Sequence, residues 1–396
     1  MSSSPIQLKS KVAIVYHFFA NYRKPILERL AKSETHDFLF VADSQNRIMP
    51  GVKTWQPDDA RAFRHARCFP LPGGFMIQMG LLRLAIKKEP QCIILLGDWK
   101  WPSTWLSASL ARIRGKRVLF WTHGWRTEDK GIRRLIRTTF YRLSHGLLLY
   151  GHRAKQIAVS QGFDPQNVYV VFNSLDYDAQ VKQRERYNNE LVKRVRQKIF
   201  GDHDVPVVIC SARLHKRKKL SQLFQAIDVL KKRGKKVNVI LIGDGDDKQN
   251  LESLAKELSI KVHFEGSCFE ENRVAELTMA SNLTVSPGPI GLTAIQSLTY
   301  GVPVLTNNQF ETQGPEHEAI MPGITGDFFE TDDTESMAAK IEKWTDRITI
   351  PEETRLNCFR VIDELYNPLN QEAVFSNAIH GKPAQMNTVT QLFNDA

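Results

Sequence analysis

The chain alternates, almost without a break, between short apolar runs rich in β-branched residues and stretches in which apolar residues recur every three to four positions. The runs at 11–18 (KVAIVYHF), 37–43, 92–98, 117–124 and 146–151 read as strands buried on both faces. Between them, 25–33, 77–89, 103–115 and 133–144 carry helical spacing. Strand, helix and strand in succession predict a parallel sheet with helices on both sides. The pattern restarts near 168–178 and passes through a charged helical stretch at 181–200. A second strand series follows at 205–213, 237–246, 261–266, 282–288 and 302–308, with helices near 219–233, 247–259, 270–280 and 291–300.

The expectation is therefore an α/β chain of two Rossmann-like lobes, 1–172 and 173–353, with a hinge near Asn173. Helices over 354–396 are expected to cross back in part to the first lobe and end in a loose tail. A length of 396 residues leaves room for two such domains.

Composition narrows the setting. The segment MSSSPIQLKS has no apolar core and does not read as a secretory signal. No run approaches the roughly 18 apolar residues of a membrane span. Five cysteines, widely separated and without a Cys-x-x-Cys pair, read as free thiols of a reducing cytoplasm. Residues 1–172 hold 27 Lys and Arg against 11 Asp and Glu, whereas the remainder holds 27 against 32. Such asymmetry fits either a first lobe that faces an anionic partner or a basic, solvated surface.

In open α/β sheets, ligands bind outside the carboxyl ends of the strands, and three of these ends stand out in the second lobe. In SARLHKRKKL (211–220), Arg213 closes a strand and Lys218 heads the next helix. A guanidinium fork and an ammonium at this spacing suit a diphosphate, although a solvated basic turn would read the same way. In IGDGDDKQ (242–249), a Gly-x-Gly turn lets something approach the backbone, a weak signal alone. In SPGPIGLTAIQSLTYGVPVLT (286–306), Gly288 and Gly291 precede a helix whose first N–H groups and positive dipole end form a ready anion site. Gly301 then caps the helix before the next strand.

In order and spacing, these segments resemble the family 4 glycosyltransferases, retaining enzymes of GT-B architecture in which two Rossmann-like lobes face an interlobe cleft. That family has a strand-end Arg with a Lys five residues on, here Arg213 and Lys218. A Gly-Asp-Gly turn follows, here Gly243 to Gly245, then a Phe-x-Gly strand end, here Phe264 to Gly266. Last comes EGFGLxxLEAMAxGxPV, matched by GPIGLTAIQSLTYGVPV. The likeness covers roughly 168–345, and the first lobe joins it through HGW at 123–125 and the NSLD segment at 173–176.

The resemblance implies transfer of a sugar from a nucleotide-diphosphate donor to a hydroxyl of a glycan or lipid-linked acceptor, with no metal or further cofactor. It assigns catalytic roles to His123, Arg213 and Lys218. Donor binding would fall to Gly245, Gly266, Ser267, Gly288, Ile290, Gly291, Leu292, Thr293 and Gln296. Two departures stand out. The family segment carries two glutamates eight residues apart, and Gly288 and Gln296 occupy those positions here. The family's glycine-rich turn after the first strand is replaced by HFFANYRK at 17–24.

On the first lobe, His123 follows a strand and either meets the donor sugar or packs between Trp121 and Trp125. Asp98 ends another strand and is a candidate for the acceptor hydroxyl. Arg23 and Lys24, at a helix start, either hold an acceptor phosphate or are solvated. In GIRRLIRTTFYRL (131–143), Ile132, Leu135, Ile136 and Phe140 share one helix face, with Arg133, Arg134 and Arg137 toward the others. Such a helix covers a sheet or rests on an anionic membrane. The expected setting is cytoplasmic, with peripheral contact to the inner membrane face. Competing classes are a sugar-nucleotide epimerase or hydrolase and a non-catalytic sugar-nucleotide binder. Specific nucleic-acid binding lacks the aromatic interleaving it would need.

Overall fold

β1 (Ser10–Val15) shows why the apolar runs become interior strands. Val12, Ala13, Ile14 and Val15 are all buried, so successive side chains enter the cores on both sides of the sheet. The structure is a computed structural model and describes residues 9–46, 48–49 and 52–394. The chain divides into two units: one through Ser174 that takes in Pro368–Met386, and one over Leu175–Asn367 with the segment from Asn387 on. The stretch from 354 onward is thus shared between them.

In the first unit, β1 is followed by α1 (Lys24–Ala31), β2 (His36–Ala42), β3 (Phe63–His65) and an antiparallel pair, β4 (Cys68–Leu71) with β5 (Phe75–Gln78). Next come α2 (Leu81–Ile86), β6 (Cys92–Leu96), α3 (Pro102–Ile113), β7 (Arg117–Thr122), α4 (Gly131–Tyr141), β8 (Gly146–Leu149), α5 (His152–Ser160) and β9 (Val168–Val170). Seven strands form one parallel sheet in the order β3-β2-β1-β6-β7-β8-β9. Strand order reverses between β1 and β6, which opens a crevice at their carboxyl ends. The helix Pro368–His380 covers one face with Phe375, Ala378 and Ile379.

The second unit runs α6 (Tyr177–Arg184), α7 (Asn189–Phe200), β10 (Val207–Ser211), α8 (Leu220–Lys232), β11 (Asn238–Ile242), α9 (Lys248–Glu257) and β12 (Val262–Gly266). It continues with α10 (Glu271–Met279), β13 (Leu283–Ser286), α11 (Leu292–Thr299), β14 (Val304–Asn307), β15 (Gly326–Phe329), α12 (Thr334–Trp344) and α13 (Glu352–Glu364). Its six-stranded parallel sheet has the order β12-β11-β10-β13-β14-β15, which places the reversal between β10 and β13.

Three segments differ from the reading of periodicity. The stretch 77–89 is not one helix. Gln78 is held in β5 by bonds from its Nε2 to the carbonyls of Tyr16 and Ala66 (2.9 and 3.4 Å), and Gly80 turns the chain at a φ of 81°. In 168–178, only Val168–Val170 is strand, and it closes the first sheet beside β8. The stretch 181–200 is two helices, because Asn188 accepts the Leu191 N–H at 2.7 Å and starts α7 afresh. Among the described residues, no helix is long and apolar enough to cross a membrane.

Candidate functional site

In the second unit, the chain leaving β10 packs closely on the chain leaving β11. After β10, the Ala212 and Leu214 N–H groups bond the carbonyls of Ile242 and Asp244 at 3.0 and 2.9 Å. This packing is what the Gly-x-Gly turn permits. A Cβ on Gly243 would lie 1.9 Å from the Ala212 oxygen, and one on Gly245 2.0 Å from the Leu214 oxygen. The space at Gly245 is filled by the chain itself, and its N–H bonds the Asp244 carboxylate at 2.8 Å.

Lys218 ends a short 3-10 turn (Lys216–Lys218), and its ammonium donates to the Pro289 carbonyl at 2.6 Å. The Gly288 N–H in turn donates to the Lys218 carbonyl at 3.1 Å. A Cβ on Gly288 would stand 2.6 Å from the Arg217 oxygen and 2.8 Å from the Lys218 Cα. The acid that the family segment carries here is therefore excluded by the chain's own backbone. Burial lowers the Lys218 pKa.

The loop between β13 and α11 is pinned at several points. Asn307 Nδ2 donates to the Pro287 carbonyl (2.7 Å), Ile290 N–H donates to Gln313 Oε1 (2.7 Å), and Gly314 N–H donates to the Ile290 carbonyl (2.8 Å). The Thr293 hydroxyl donates to the Ser211 carbonyl at 3.1 Å, fixing the start of α11 to the end of β10. Of the backbone donors in this stretch, those of Gly288 and Ile290 are used within the chain. Those of Gly291, Leu292 and Thr293 make no hydrogen bond among the described residues. These are orphan donors at the positive end of a helix dipole, an arrangement that suits an anion.

Around these donors, Arg213 is exposed and Gln296 half-buried, and neither side chain has a hydrogen-bond or ionic partner among the described residues. Gly266 ends β12 at a φ of 78° with nothing within 4 Å of its missing side chain, and Ser267 after it is exposed. Two residues here were not singled out from the sequence. Phe269 is 94% exposed on the same edge. The buried Glu316 carboxylate, from the 3-10 turn Pro315–Ala319, lies 3.9 Å from where a Gly291 Cβ would be. Its distance in sequence hid it; only the bond from Gly314 to Ile290 brings it here.

In the first unit, Arg23, Asp98 and His123 line one cavity of about 620 Å³, together with Tyr16 and His17. It opens where β1 and β6 end. Asp98 is half-buried and accepts the Lys100 N–H at 3.0 Å. Trp121 and Trp125 are buried, but His123 is not packed between them. It is solvent-exposed beside the Tyr150 ring, 4.6 Å between centroids. The heavy atoms crowding it, then the Arg23 and Arg126 charges, hold its pKa down to about 4, an effect that solvent at its exposed edge moderates. His17 is likewise held at about 4 by burial and then by Arg23.

α4 packs by its last turn only. Phe140 is fully buried, while Ile132, Leu135 and Ile136 are 71, 62 and 36% exposed beside the exposed Arg133 and Arg134.

Residues 192–356 match the family model described as Glycosyl transferases group 1. No curated protein matches the chain. Among solved structures, the lipopolysaccharide outer core galactosyltransferase WaaB in its apo form is 16% identical, with a TM-score of 0.64 over 93% of this chain and 99% of that one. Anabaena Alr3699/HepE in complex with UDP is 14% identical, with a TM-score of 0.66 over 94% and 100%. Sucrose-phosphate synthase from Thermosynechococcus elongatus is 15% identical, with a TM-score of 0.62 over 98% and 100%. The chain thus has the two-lobed α/β GT-B fold, and the part of its second unit over residues 192–356 is similar to the Glycosyl transferases group 1 model.

Proposed function

We propose that the protein is a retaining glycosyltransferase that moves a sugar from a nucleotide-diphosphate donor to a hydroxyl of a glycan or lipid-linked acceptor, in surface polysaccharide or glycolipid synthesis. The observation that carries this reading is the row of free N–H groups on Gly291, Leu292 and Thr293, with the partnerless Arg213 on the adjacent strand end. Donors fixed in place before the reaction stabilise the charge that grows on a leaving diphosphate, and such preorganisation is often the largest catalytic term. The diphosphate itself then accepts the proton of the attacking hydroxyl, with the donor as the only small molecule required besides the acceptor. Lys218 supports the cradle by holding the Pro289 carbonyl. Gln296 offers a neutral hydrogen-bond pair for a ribose diol, and Phe269 offers a ring for the base. His123, neutral at pH 7, suits an uncharged sugar hydroxyl. The HepE complex favours a uridine nucleotide.

The exposed apolar and basic residues of α4 support peripheral contact with an anionic membrane surface. The test is thermal stabilisation by UDP, GDP, ADP and dTDP and their sugars, with Arg213→Ala beside the native chain. A ligand at about 100 times its dissociation constant adds roughly 2.7 kcal/mol. One base class is expected to stabilise the native chain and not the variant, and stabilisation by none would overturn the reading. Release of free sugar without an acceptor would instead indicate a hydrolase.

A further inference from the structure

Arg23 is a buried charge with no opposite charge beside it. It ends the 3-10 turn Asn21–Arg23 just beyond β1, and 7% of it is exposed. Its guanidinium carbon lies 4.7 Å from the centre of the Tyr16 ring, 4.6 Å from that of Trp121 and 5.3 Å from that of Tyr150. Nε donates to the Tyr22 hydroxyl at 3.1 Å, but Nη1 is buried and donates to nothing, and no carboxylate pairs with the group among the described residues. Two further buried nitrogens lack partners: Nδ1 of His17, in the same cavity, and Nε1 of Trp121, whose ring flanks the guanidinium.

Taking a guanidinium out of water is costly, and aromatic faces offset part of that cost without giving Nη1 an acceptor. The other charged groups lining the cavity do not supply one. Asp98 is turned to the Lys100 N–H, and Arg137 is ion-paired with Asp129 at 2.9 Å. His17 and His123 are neutral at pH 7. Asp98 is half-buried and its partner is a backbone N–H, so it too keeps its charge; of the two, Arg23 is the buried one.

We propose that this cavity is an oxyanion subsite, in which Arg23 holds a phosphate or carboxylate group carried by the acceptor, with His17 as a neutral hydrogen-bond partner. Giving the anion to the acceptor rests on the glycosyl-transfer reading; the anion site itself does not. A planar fork matches either group in two parallel bonds. A volume of about 620 Å³ leaves room for the sugar or lipid headgroup that bears it.

The probes are sodium phosphate and, separately, sodium acetate, at constant ionic strength. The readout is the imidazole resonances of His17 in histidine-labelled protein. In the native chain and in Arg213→Ala, which weakens the other anion site, at least one anion is expected to shift His17 saturably. An anion on Arg23 also raises the proton affinity of His17 about tenfold or more. In Arg23→Met the response is expected to vanish. Response to phosphate alone identifies a phosphoryl group, and response to acetate alone a carboxylate. No response to either, or one that survives in Arg23→Met, overturns the subsite.

Removing an unpaired buried charge is expected to leave the melting temperature no lower. If Arg23→Met does not fold, Arg23→Lys, which keeps charge without the fork, must bind the responding anion at least several-fold more weakly. UDP calorimetry on the same samples separates the two readings. UDP binding with His17 unmoved removes the subsite alone, whereas an anion response without any nucleotide binding leaves the subsite and removes the transfer reading.

Discussion

The Lys218 ammonium donates to the Pro289 carbonyl at 2.6 Å, and the Gly288 N–H donates back to the Lys218 carbonyl at 3.1 Å. The turn after β10 and the loop after β13 are thereby closed on each other, where family 4 sequences would place a glutamate. Gly288→Ala is expected to destabilise the protein by about 1–3 kcal/mol, since neither Arg217 nor Lys218 backbone can yield cheaply. Gly288→Glu should be worse. Urea unfolding measures this, and an unchanged midpoint would show that the turn gives way.

Arg213 carries the opposite signature, being exposed and without a partner. Arg213→Ala should leave the unfolding midpoint unchanged and weaken nucleotide-diphosphate binding by roughly 10- to 150-fold, the worth of a charged hydrogen bond. Calorimetry with UDP reads it. Equal affinity in variant and native chain would remove Arg213 from the site.

Gln296→Ala should weaken UDP by about two- to tenfold, one neutral hydrogen bond. Inhibition by inorganic pyrophosphate, which has no ribose, should stay the same. A parallel loss of both would mean that Gln296 supports the loop and not the nucleoside.

The depressed histidines set an acid limit. His17 takes its proton near pH 4 in the folded chain and near 6.5 when unfolded, so the unfolded state binds more protons between those values. That stability is complete above pH 6.5 and drains away as pH falls toward 4. Glu265, held at about 2 by Arg273 and His263, adds its own loss only below about 4.5. Between pH 6.5 and 4.5, His17→Gln should therefore flatten the fall of unfolding free energy with pH, by at most one proton or about 1.4 kcal/mol per pH unit. An unchanged slope would place the titration elsewhere.

Ile132 and Leu135 stand exposed beside Arg133 and Arg134. The native chain is expected to sediment with phosphatidylglycerol-rich vesicles and the Ile132→Glu, Leu135→Glu double variant is not. Sedimentation of both, or of neither, would argue that α4 is not the contact.

Local pattern by itself determined two parallel sheets, because a strand buried on both faces must be apolar throughout and a covering helix must repeat every three to four residues. It also put Arg213 at a strand end and a helix start after Gly291, whereas the Gln296 position was singled out by the family resemblance. What it could not decide was which backbone donors remain free. Ile290 and Thr293 look alike in sequence, yet Gln313 uses the N–H of one, while the other keeps its N–H and ties its hydroxyl to Ser211. Nor could it show that Gly243 and Gly245 make room for the chain's own carbonyls, or that Glu316 comes to rest beside Gly291. Arg23 was legible as a basic residue at a helix start. Only the meeting of Tyr16, Trp121 and Tyr150, from three different strand ends, makes it a buried and unpaired charge. Hydrogen-bond occupancy and desolvation are properties of neighbours brought together across long sequence separations, so tertiary structure alone settles them.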